Sequence, residues 1–203
     1  MKHRIDSIER LEALYAAPAA TSVAKETPTI NDAYRRLIEA APFVAVASAG
    51  PGGMDCSPRG DGAGFVKILD ERTLVFPDRR GNNQLDTLRN IIADPRIALL
   101  FLIPGLNETL RVNGRAYLST DPDLLQGFVV QGKAPVCAVV VEVETLYFQC
   151  ARALKRSRLW DSSTQVAPDS LPSAGALIKS VMNDFDSVTY DGALQGRQEE
   201  TLY

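Results

Sequence analysis

Basic side chains cluster in residues 57–111 of this chain, in the kind of sequence that binds a phosphate. The motif SPRGD, residues 57–61, carries Arg59, and Lys67 closes the apolar segment that follows. A second short strand candidate then opens into DRRGNN, residues 78–83, where a helix is predicted to begin. The first N–H groups of a helix lack partners and its dipole is positive there, so such a turn attracts anions. A phosphate dianion is the ligand that this stretch predicts first.

The turn at residues 78–83 supplies the donor types that a phosphate needs. Arg79 and Arg80 carry planar guanidinium groups that can bind two phosphate oxygens at once. Asn82 and Asn83 follow closely, and their backbone and side-chain amides can donate to an oxyanion. An ordinary solvated turn is the alternative, because most charged side chains lie on the protein surface. The two arginines together with the Gly-Asn-Asn sequence favour the anion site.

A glycine-rich segment precedes this turn and invites comparison with a dinucleotide-binding loop. Gly60, Gly62 and Gly64 have the spacing G-x-G-x-G, whereas the fingerprint is G-x-G-x-x-G, and a strand follows where a helix is required. A turn or bulge between strands explains these glycines better. They would still allow a flat ligand to approach the backbone closely.

Two further groups of cations are candidates for the same ligand. Arg111 is predicted on the polar face of a strand, where it either binds the heterocycle of a ligand or is an ordinary exposed cation. The basic segment 151–160 carries Lys155 and the only tryptophan, Trp160. This segment is either a surface helix with extended basic side chains or the rim of a cofactor pocket, where Trp160 would stack on a ring. Nucleic acid is a third partner for it, which the acidic total charge disfavours.

Composition limits the classes of function. The chain has 203 residues and a net charge of -3, which disfavours general nucleic-acid binding. No apolar run approaches the roughly 18–20 residues of a membrane helix, and the N-terminus lacks the apolar segment of a signal peptide. We therefore expect a cytoplasmic protein with no membrane partner. Cys56, Cys137 and Cys150 lack the spacing of a metal site and are expected to be reduced and mostly buried.

The single histidine, His3, lies near the start of the chain. A Ser-His-Asp or Cys-His mechanism therefore has no obvious base. If the protein is an enzyme, a bound cofactor is expected to supply the difficult chemistry. The sequence assigns no catalytic residue.

Apolar runs with a period of two predict a mainly β fold with flanking helices. Six or seven strands are predicted between residues 43 and 148, and only the helix expected at Asn82–Ile92 interrupts them early. This order favours a mostly antiparallel barrel over a doubly wound parallel sheet. Residues 1–203 are interpreted as a single domain, with N-terminal helices within 6–40, the second of them starting at Thr27, C-terminal helices within 151–186 and a loose tail at 195–203.

Residues 65–101, FVKILDERTLVFPDRRGNNQLDTLRNIIADPRIALLF, resemble the core signature of the pyridoxamine 5'-phosphate oxidase family, the FMN-binding split barrels. The resemblance spans about residues 30–160, and SPRGD, NETLRVNGRA and KRSRLW are similar to one branch of that family. It implies a six-stranded antiparallel split β-barrel that forms a homodimer. FMN would occupy each of two clefts at the subunit interface.

The resemblance also implies roles for particular residues. Lys67 would contact the FMN phosphate, Arg79 and Arg80 would grip it, and the strand backbone from Val75 to Pro77 would contact the ribityl chain and the ring. The predicted cofactor site comprises Arg59, Lys67, Val75, Phe76, Pro77, Arg79, Arg80, Asn82, Asn83, Arg111, Lys155 and Trp160. The family's founding enzyme holds its substrate with an Arg-x-His element near its C-terminus. This chain lacks that element, so oxidation of pyridoxamine phosphate is not expected.

The leading hypothesis is an FMN-dependent oxidoreductase that passes hydride between a small organic substrate and the flavin. Arg111 is a candidate to stabilise negative charge on the reduced flavin. Replacing both Arg79 and Arg80 with alanine is expected to release FMN and to leave the fold intact. The alternatives are a non-catalytic module that stores or senses flavin, and a relative that binds haem or the deazaflavin F420 in the same cleft.

Overall fold

A computed structural model describes residues 3–203, in which a single antiparallel sheet is flanked by helices. The strands are β1 (Phe43–Gly50), β2 (Gly53–Gly60), β3 (Lys67–Asp70), β4 (Thr73–Pro77), β5 (Arg96–Leu102), β6 (Thr109–Ser119) and β7 (Ala138–Gln149). The α-helices are α1 (Ile8–Glu12), α2 (Ala20–Ala24), α3 (Asp32–Ala40), α4 (Asp86–Ala93), α5 (Pro122–Gln126), α6 (Arg152–Ser157), α7 (Ala174–Lys179) and α8 (Ser187–Glu200). Within this described range, no helix has the length and apolarity to cross a membrane.

The sheet has the strand order β2-β1-β5-β6-β7-β4-β3, with every neighbouring pair antiparallel. This confirms the mainly β, antiparallel prediction. The sheet has seven strands rather than the six implied by the resemblance. Residues 53–60 pair with β1 along their whole length, so Ser57–Gly60, expected in a loop, end the outer strand β2. Pro58 is therefore part of a sheet edge.

Alternation along β6 places the core on one face of the sheet. Leu110, Val112 and Ala116 are buried, whereas Arg115 and Tyr117 on the opposite face are exposed. This is the pattern predicted from the sequence, and it follows from the period of two in a strand. Leu99, Phe101, Val139 and Val141 extend the same buried face across β5 and β7, and α3 and α4 add Ile38, Leu88 and Ile91. Each such side chain contributes about 1.5–3 kcal/mol on full burial.

A β-bulge interrupts the long pairing of β6 with β7. Asn113 pairs with Thr145 and Gly114 with Val143, so Glu144 is the extra residue on β7. A Cβ on Gly114 would collide with the carbonyl oxygen of Glu142, so only glycine fits there. Bulges increase the local bend and twist of a strand pair, which curves this part of the sheet.

Two helices begin later than the sequence predicted. Helix α4 starts at Asp86 rather than Asn82, because Asn83 adopts a left-handed backbone with φ of 60° and the Asn82 side chain accepts the Gln84 amide in a local turn. Helix α3 starts at Asp32 rather than Thr27, because Thr27 pairs with Leu146 in an isolated β-bridge. Asn31 caps α3 by accepting a hydrogen bond of 2.9 Å from the Tyr34 amide.

The C-terminal helices also differ from expectation. Helix α6 ends at Ser157 because Arg158 has a left-handed backbone, with φ of 51°. Helix α7 stops at Lys179, and α8 continues to Glu200 through a segment predicted to be loose. Asp191 of α8 bonds to the Ser173 hydroxyl and the Gly175 amide, which joins the two helices. The interpretation of the chain as one domain stays a prediction.

The cysteines are more exposed than expected. Cys137 is buried, whereas Cys56 and Cys150 lie at the surface. Cys56 is on the outer strand β2 and Cys150 comes directly after β7, so neither has a second layer of protein above it. The expectation of mostly buried thiols was therefore wrong.

Candidate ligand-binding cavity

A cavity of about 590 Å³ lies where the ends of β2 and β4 face the loop before α4. Its wall also includes residues 133–136, between α5 and β7, and Tyr203. Pockets that bind cofactors and other small molecules typically measure about 300–1,000 Å³. The cavity therefore has the size of a cofactor site.

One end of the cavity is rich in cations and amides. Arg59 comes from β2, Arg80, Asn82 and Asn83 from the loop before α4, and Lys133 from the loop before β7. Arg80 is exposed at the rim and has no ion-pair partner among the residues that the structure describes. The helix start predicted at Asn82 is wrong, because Arg80, Asn82 and Asn83 precede α4, which begins at Asp86. The donors themselves line one cavity, as an anion site requires.

The other walls of the cavity are apolar. Phe65 and Leu88 are buried side chains of the core that reach its surface, and Pro77 ends β4 beside them. Leu85 and Val136 stand at the mouth, with 39% and 84% of their surface exposed. The cavity lining thus combines cationic and apolar side chains, and both kinds are exposed at its rim.

Arg79 has a different role from the one predicted. Its Nε and Nη2 each lie 2.7 Å from Asp61 Oδ2, and its Nη1 donates to the Phe128 carbonyl oxygen at 2.7 Å. All three guanidinium nitrogens are therefore bonded within the chain, and the side chain is only 17% exposed. Arg79 lines the cavity as a structural residue that joins three segments, whereas Arg80 is the arginine open to a ligand.

Asp61 and Tyr203 complete the Arg79 cluster. The Tyr203 hydroxyl donates to Asp61 Oδ1 at 2.9 Å, and the Arg79 guanidinium carbon lies 5.3 Å from the centre of the Tyr203 ring. Burial alone would raise the pKa of Asp61, but hydrogen bonds from the Gly62 amide, Tyr203 and Arg79 together lower it. The bond to Asp61 in turn raises the pKa of Tyr203. The two shifts favour an ionised Asp61 carboxylate that accepts and a protonated Tyr203 hydroxyl that donates. No local pattern predicts this contact, because 142 residues separate Tyr203 from Asp61.

Asp78 is the only acidic side chain among the described residues that line the cavity. Its Oδ1 lies 3.9 Å from Arg59 Nη2, and its amide donates to the Cys137 carbonyl oxygen at 2.9 Å. Burial raises the pKa of Asp78, and the Arg59 charge opposes this only in part. Burial and the Asp78 charge also raise the pKa of the Cys137 thiol. Burial therefore favours the protonated form of the Asp78 carboxyl more than that of an exposed aspartate.

Lys67 lies outside the cavity lining. Its Nζ donates to the Gly127 carbonyl oxygen and sits 4.6 Å from the centre of the Phe128 ring. Cations are favourable beside carbonyl groups at a helix C-terminus, and Gly127 directly follows α5. In this structure, Lys67 secures the loop after α5 rather than facing a ligand.

The remaining predicted residues divide between core and surface. Val75 and Phe76 of β4 are fully buried, so only their backbone could face a ligand, and Pro77 does line the cavity. Arg111 donates to the Tyr147 hydroxyl at 3.0 Å, away from the lining. Lys155 is exposed on α6, and Trp160 Nε1 donates to the Leu106 carbonyl oxygen at 2.7 Å. The structure therefore does not bring Arg111, Lys155 or Trp160 into this cavity.

Comparison with known proteins places the chain in a family. The sequence profile described as pyridoxamine 5'-phosphate oxidase matches residues 30–150, which include the whole sheet and most of the cavity. The chain belongs to the pyridoxamine 5'-phosphate oxidase family. Comparison with curated proteins gave no significant match.

Several solved structures are similar to part of the chain. HupZ of Group A Streptococcus is 18% identical, with 59% of this chain and 93% of that chain covered and a TM-score of 0.46. General stress protein 26 of Bacillus anthracis is 13% identical, with 56% and 88% covered and a TM-score of 0.42. The FAD binding protein of Mycobacterium smegmatis is 12% identical, with 61% and 97% covered and a TM-score of 0.41.

Proposed function

We propose that the chain binds FMN in this cavity and is an oxidoreductase that exchanges hydride with a small organic substrate. The observation that carries the proposal is the presence of both cationic and apolar side chains in the lining of one cavity of about 590 Å³. FMN has the same two parts, a phosphate and a flat apolar ring system. Membership of the pyridoxamine 5'-phosphate oxidase family supports this ligand.

The residues present fit the phosphate of FMN. A phosphate monoester carries about -1.5 to -2 charges near neutral pH. Arg59, Arg80 and Lys133 offer three positive charges, and Asn82 and Asn83 add neutral donors. Arg79 would help indirectly, since its bonds to Asp61 and Phe128 hold the loop that carries Arg80.

The apolar wall fits the ring system. Phe65, Leu88 and Pro77 present carbon surfaces that exclude water from one side of a flat ligand. When bound, a flavin supplies the hydride chemistry that the side chains of the protein lack. Asp78 would hold or release a proton at its carboxyl oxygen beside that wall, because burial keeps its pKa raised.

We also propose that the sheet curves into a split barrel and that two chains associate around the cavity. The Asp61–Arg79 ion pair supports the curvature, because it joins residues that follow β2 and β4, which are far apart in the strand order. The exposed apolar side chains of Leu85 and Val136 at the mouth support a second chain there. Such a dimer would complete the cavity.

The absorption spectrum of the purified protein tests the ligand directly. We expect the purified protein to show flavin absorption bands. These bands should disappear once the protein is unfolded and the released FMN is removed. A Soret band would show haem, and the spectrum of F420 would show a deazaflavin; either would contradict the proposal. A colourless protein that does not quench added FMN fluorescence would contradict it as well.

Sedimentation velocity tests the association. Wild type is expected to sediment as a dimer, and Val136→Asp is expected to shift it towards the monomer by placing a charge in an apolar contact. Val181→Asp is the matched control, because Val181 is equally exposed, at 83%, and lies outside the cavity lining. A monomeric wild type, or equal effects of both variants, would exclude the proposed interface.

A further inference from the structure

The segment Thr201–Tyr203, which we call the closing segment, follows α8 and reaches the wall of the cavity. Its contacts are with distant parts of the chain, since 142 residues separate Tyr203 from Asp61 and 70 separate it from Lys133. The Tyr203 side chain lines the cavity, whereas Leu202 beside it is 62% exposed. The segment therefore covers the cavity through one residue.

Three contacts hold Tyr203 in place. Its hydroxyl donates to Asp61 Oδ1 at 2.9 Å, and its ring lies 5.3 Å from the Arg79 guanidinium carbon. Its backbone oxygen accepts a hydrogen bond of 2.8 Å from Lys133 Nζ. Asp61 and Arg79 belong to the ion pair that joins the ends of β2 and β4, and Lys133 belongs to the loop before β7. Tyr203 thus joins two separate segments of the cavity wall.

These contacts are compatible with a bound phosphate. Tyr203 is anchored on Asp61, an anion that a phosphate would not bind, and on Arg79, whose nitrogens are already bonded within the chain. No hydrogen bond joins Arg59 or Arg80 to Tyr203; Arg80 stays available, and Arg59 is held only by Asp78 at 3.9 Å and by the Pro58 carbonyl oxygen. Lys133 is shared, but an ammonium group has three donors and can bind the Tyr203 oxygen and a phosphate together. Closure and ligand binding therefore do not compete for the same donors.

We propose that the closing segment, through Tyr203, retains the ligand in the cavity by slowing its release. This inference rests on the proposed FMN site. Tyr203 is a positioning residue in it, because it acts by holding two walls together over the ligand. We expect Tyr203 to change the rate of ligand dissociation, because its contacts with the cavity wall must break before the ligand can leave.

The test is the rate of FMN release from Tyr203→Ala, followed by the recovery of FMN fluorescence after rapid dilution far below the dissociation constant. We expect release on the order of ten-fold faster than wild type, because both the hydrogen bond to charged Asp61 and the ring contact with Arg79 are lost. Tyr203→Phe keeps the ring over Arg79 and loses only the bond to Asp61, so an intermediate rate is expected. Leu202→Ala, the matched control in the same segment, should release FMN at the wild-type rate.

Unchanged release from Tyr203→Ala would overturn the closing role while leaving the FMN site in place. Slower release or tighter binding in that variant would also overturn it, because the segment would then compete with the ligand. Absence of FMN binding by wild type would instead mark failure of the proposed function, and the closing role would fail with it. Unfolding in urea, measured on each variant, separates faster release from loss of the fold: a variant that releases FMN faster at wild-type stability supports the proposal.

Discussion

The Arg79 guanidinium and the Asp61 carboxylate, 18 residues apart in the chain, form a two-nitrogen ion pair with both N–O distances at 2.7 Å. Their side chains are only 17% and 9% exposed, so the pair is shielded from solvent. Because Asp61 follows β2 and Arg79 follows β4, this one contact sets the distance between two strands that are not neighbours in the sheet. The ion pair therefore holds in place the ends of the two strands that line the cavity.

Arg79→Ala is expected to lower the free energy of unfolding by about 2 kcal/mol, the effect of removing hydrogen bonds to a charged group that is largely buried. Urea unfolding at neutral pH measures it. Arg80→Ala, which removes the neighbouring exposed guanidinium, should change stability by no more than about 0.5 kcal/mol. Equal free energies of unfolding for the two variants would show that the contact between Arg79 and Asp61 does not stabilise the fold. Replacing both Arg79 and Arg80, the test suggested by the sequence, would combine this loss of stability with the loss of ligand contacts.

Arg80→Ala is expected to weaken FMN binding about ten-fold, because one charge-assisted contact to phosphate is lost. Quenching of FMN fluorescence on titration with protein gives the dissociation constant. Riboflavin lacks the phosphate, so its weaker binding should be unchanged by the substitution. Arg89→Ala is the control, since Arg89 is exposed on α4 outside the cavity lining. A similar loss for riboflavin would show that Arg80 does not act on the phosphate.

The stabilities of Asp78→Asn and Asp61→Asn should depend on pH in opposite directions. The pKa of Asp78 is raised by burial, so its favourable contribution is present below its ordinary value near 3.8 and is lost as pH rises through the raised value. Asp78→Asn should therefore gain stability relative to wild type as pH rises above about 4 and through the raised pKa.

The pKa of Asp61 is lowered, so its contribution is present above its ordinary value and is lost as pH falls through the lowered one. The loss of stability caused by Asp61→Asn should therefore be smaller at acid pH. Urea unfolding at a series of pH values measures both variants. If the two differences from wild type move in the same direction with pH, the assigned environment of one carboxyl is wrong.

Gly114→Ala is expected to lower the free energy of unfolding by about 1–3 kcal/mol, because the added methyl group overpacks the bulge between β6 and β7. The Glu142 carbonyl oxygen lies where that methyl group would be, and it is part of the strand backbone. Gly52→Ala is the control, since nothing lies near a Cβ there. Thermal and urea unfolding compare the two, and equal stability would argue against a bulge at Gly114.

Local patterns predicted the sheet well. The alternation of Leu110, Arg111 and Val112 fixes which face of β6 is buried, because a strand has a side-chain period of two. Asn83 argues against a helix that begins at Asn82. Asparagine is enriched among residues with positive φ, as Asn83 has here, and a residue with positive φ cannot be part of an α-helix. Recognising this would have moved the start of α4 towards Asp86.

Contacts over long sequence distances could not be predicted in this way. Arg79 and Arg80 are adjacent and chemically identical, and only the fold decides that one is bonded to Asp61 while the other stays exposed. Tyr203 lies in a segment without an apolar pattern, so its place in the cavity depends on where α8 ends. Lys67 was expected at a phosphate and instead bonds to Gly127, a partner 60 residues away.

Pro58 has a consequence for how this molecule can self-associate. It lies on β2, the outermost strand, opposite Ala45 of β1, and it has no N–H to offer to a neighbouring chain. A hydrogen-bonded ladder between two molecules along this edge would be interrupted beside the cavity. Fibre-like stacking and exchange of edge strands are thereby disfavoured at the place where a ligand must enter.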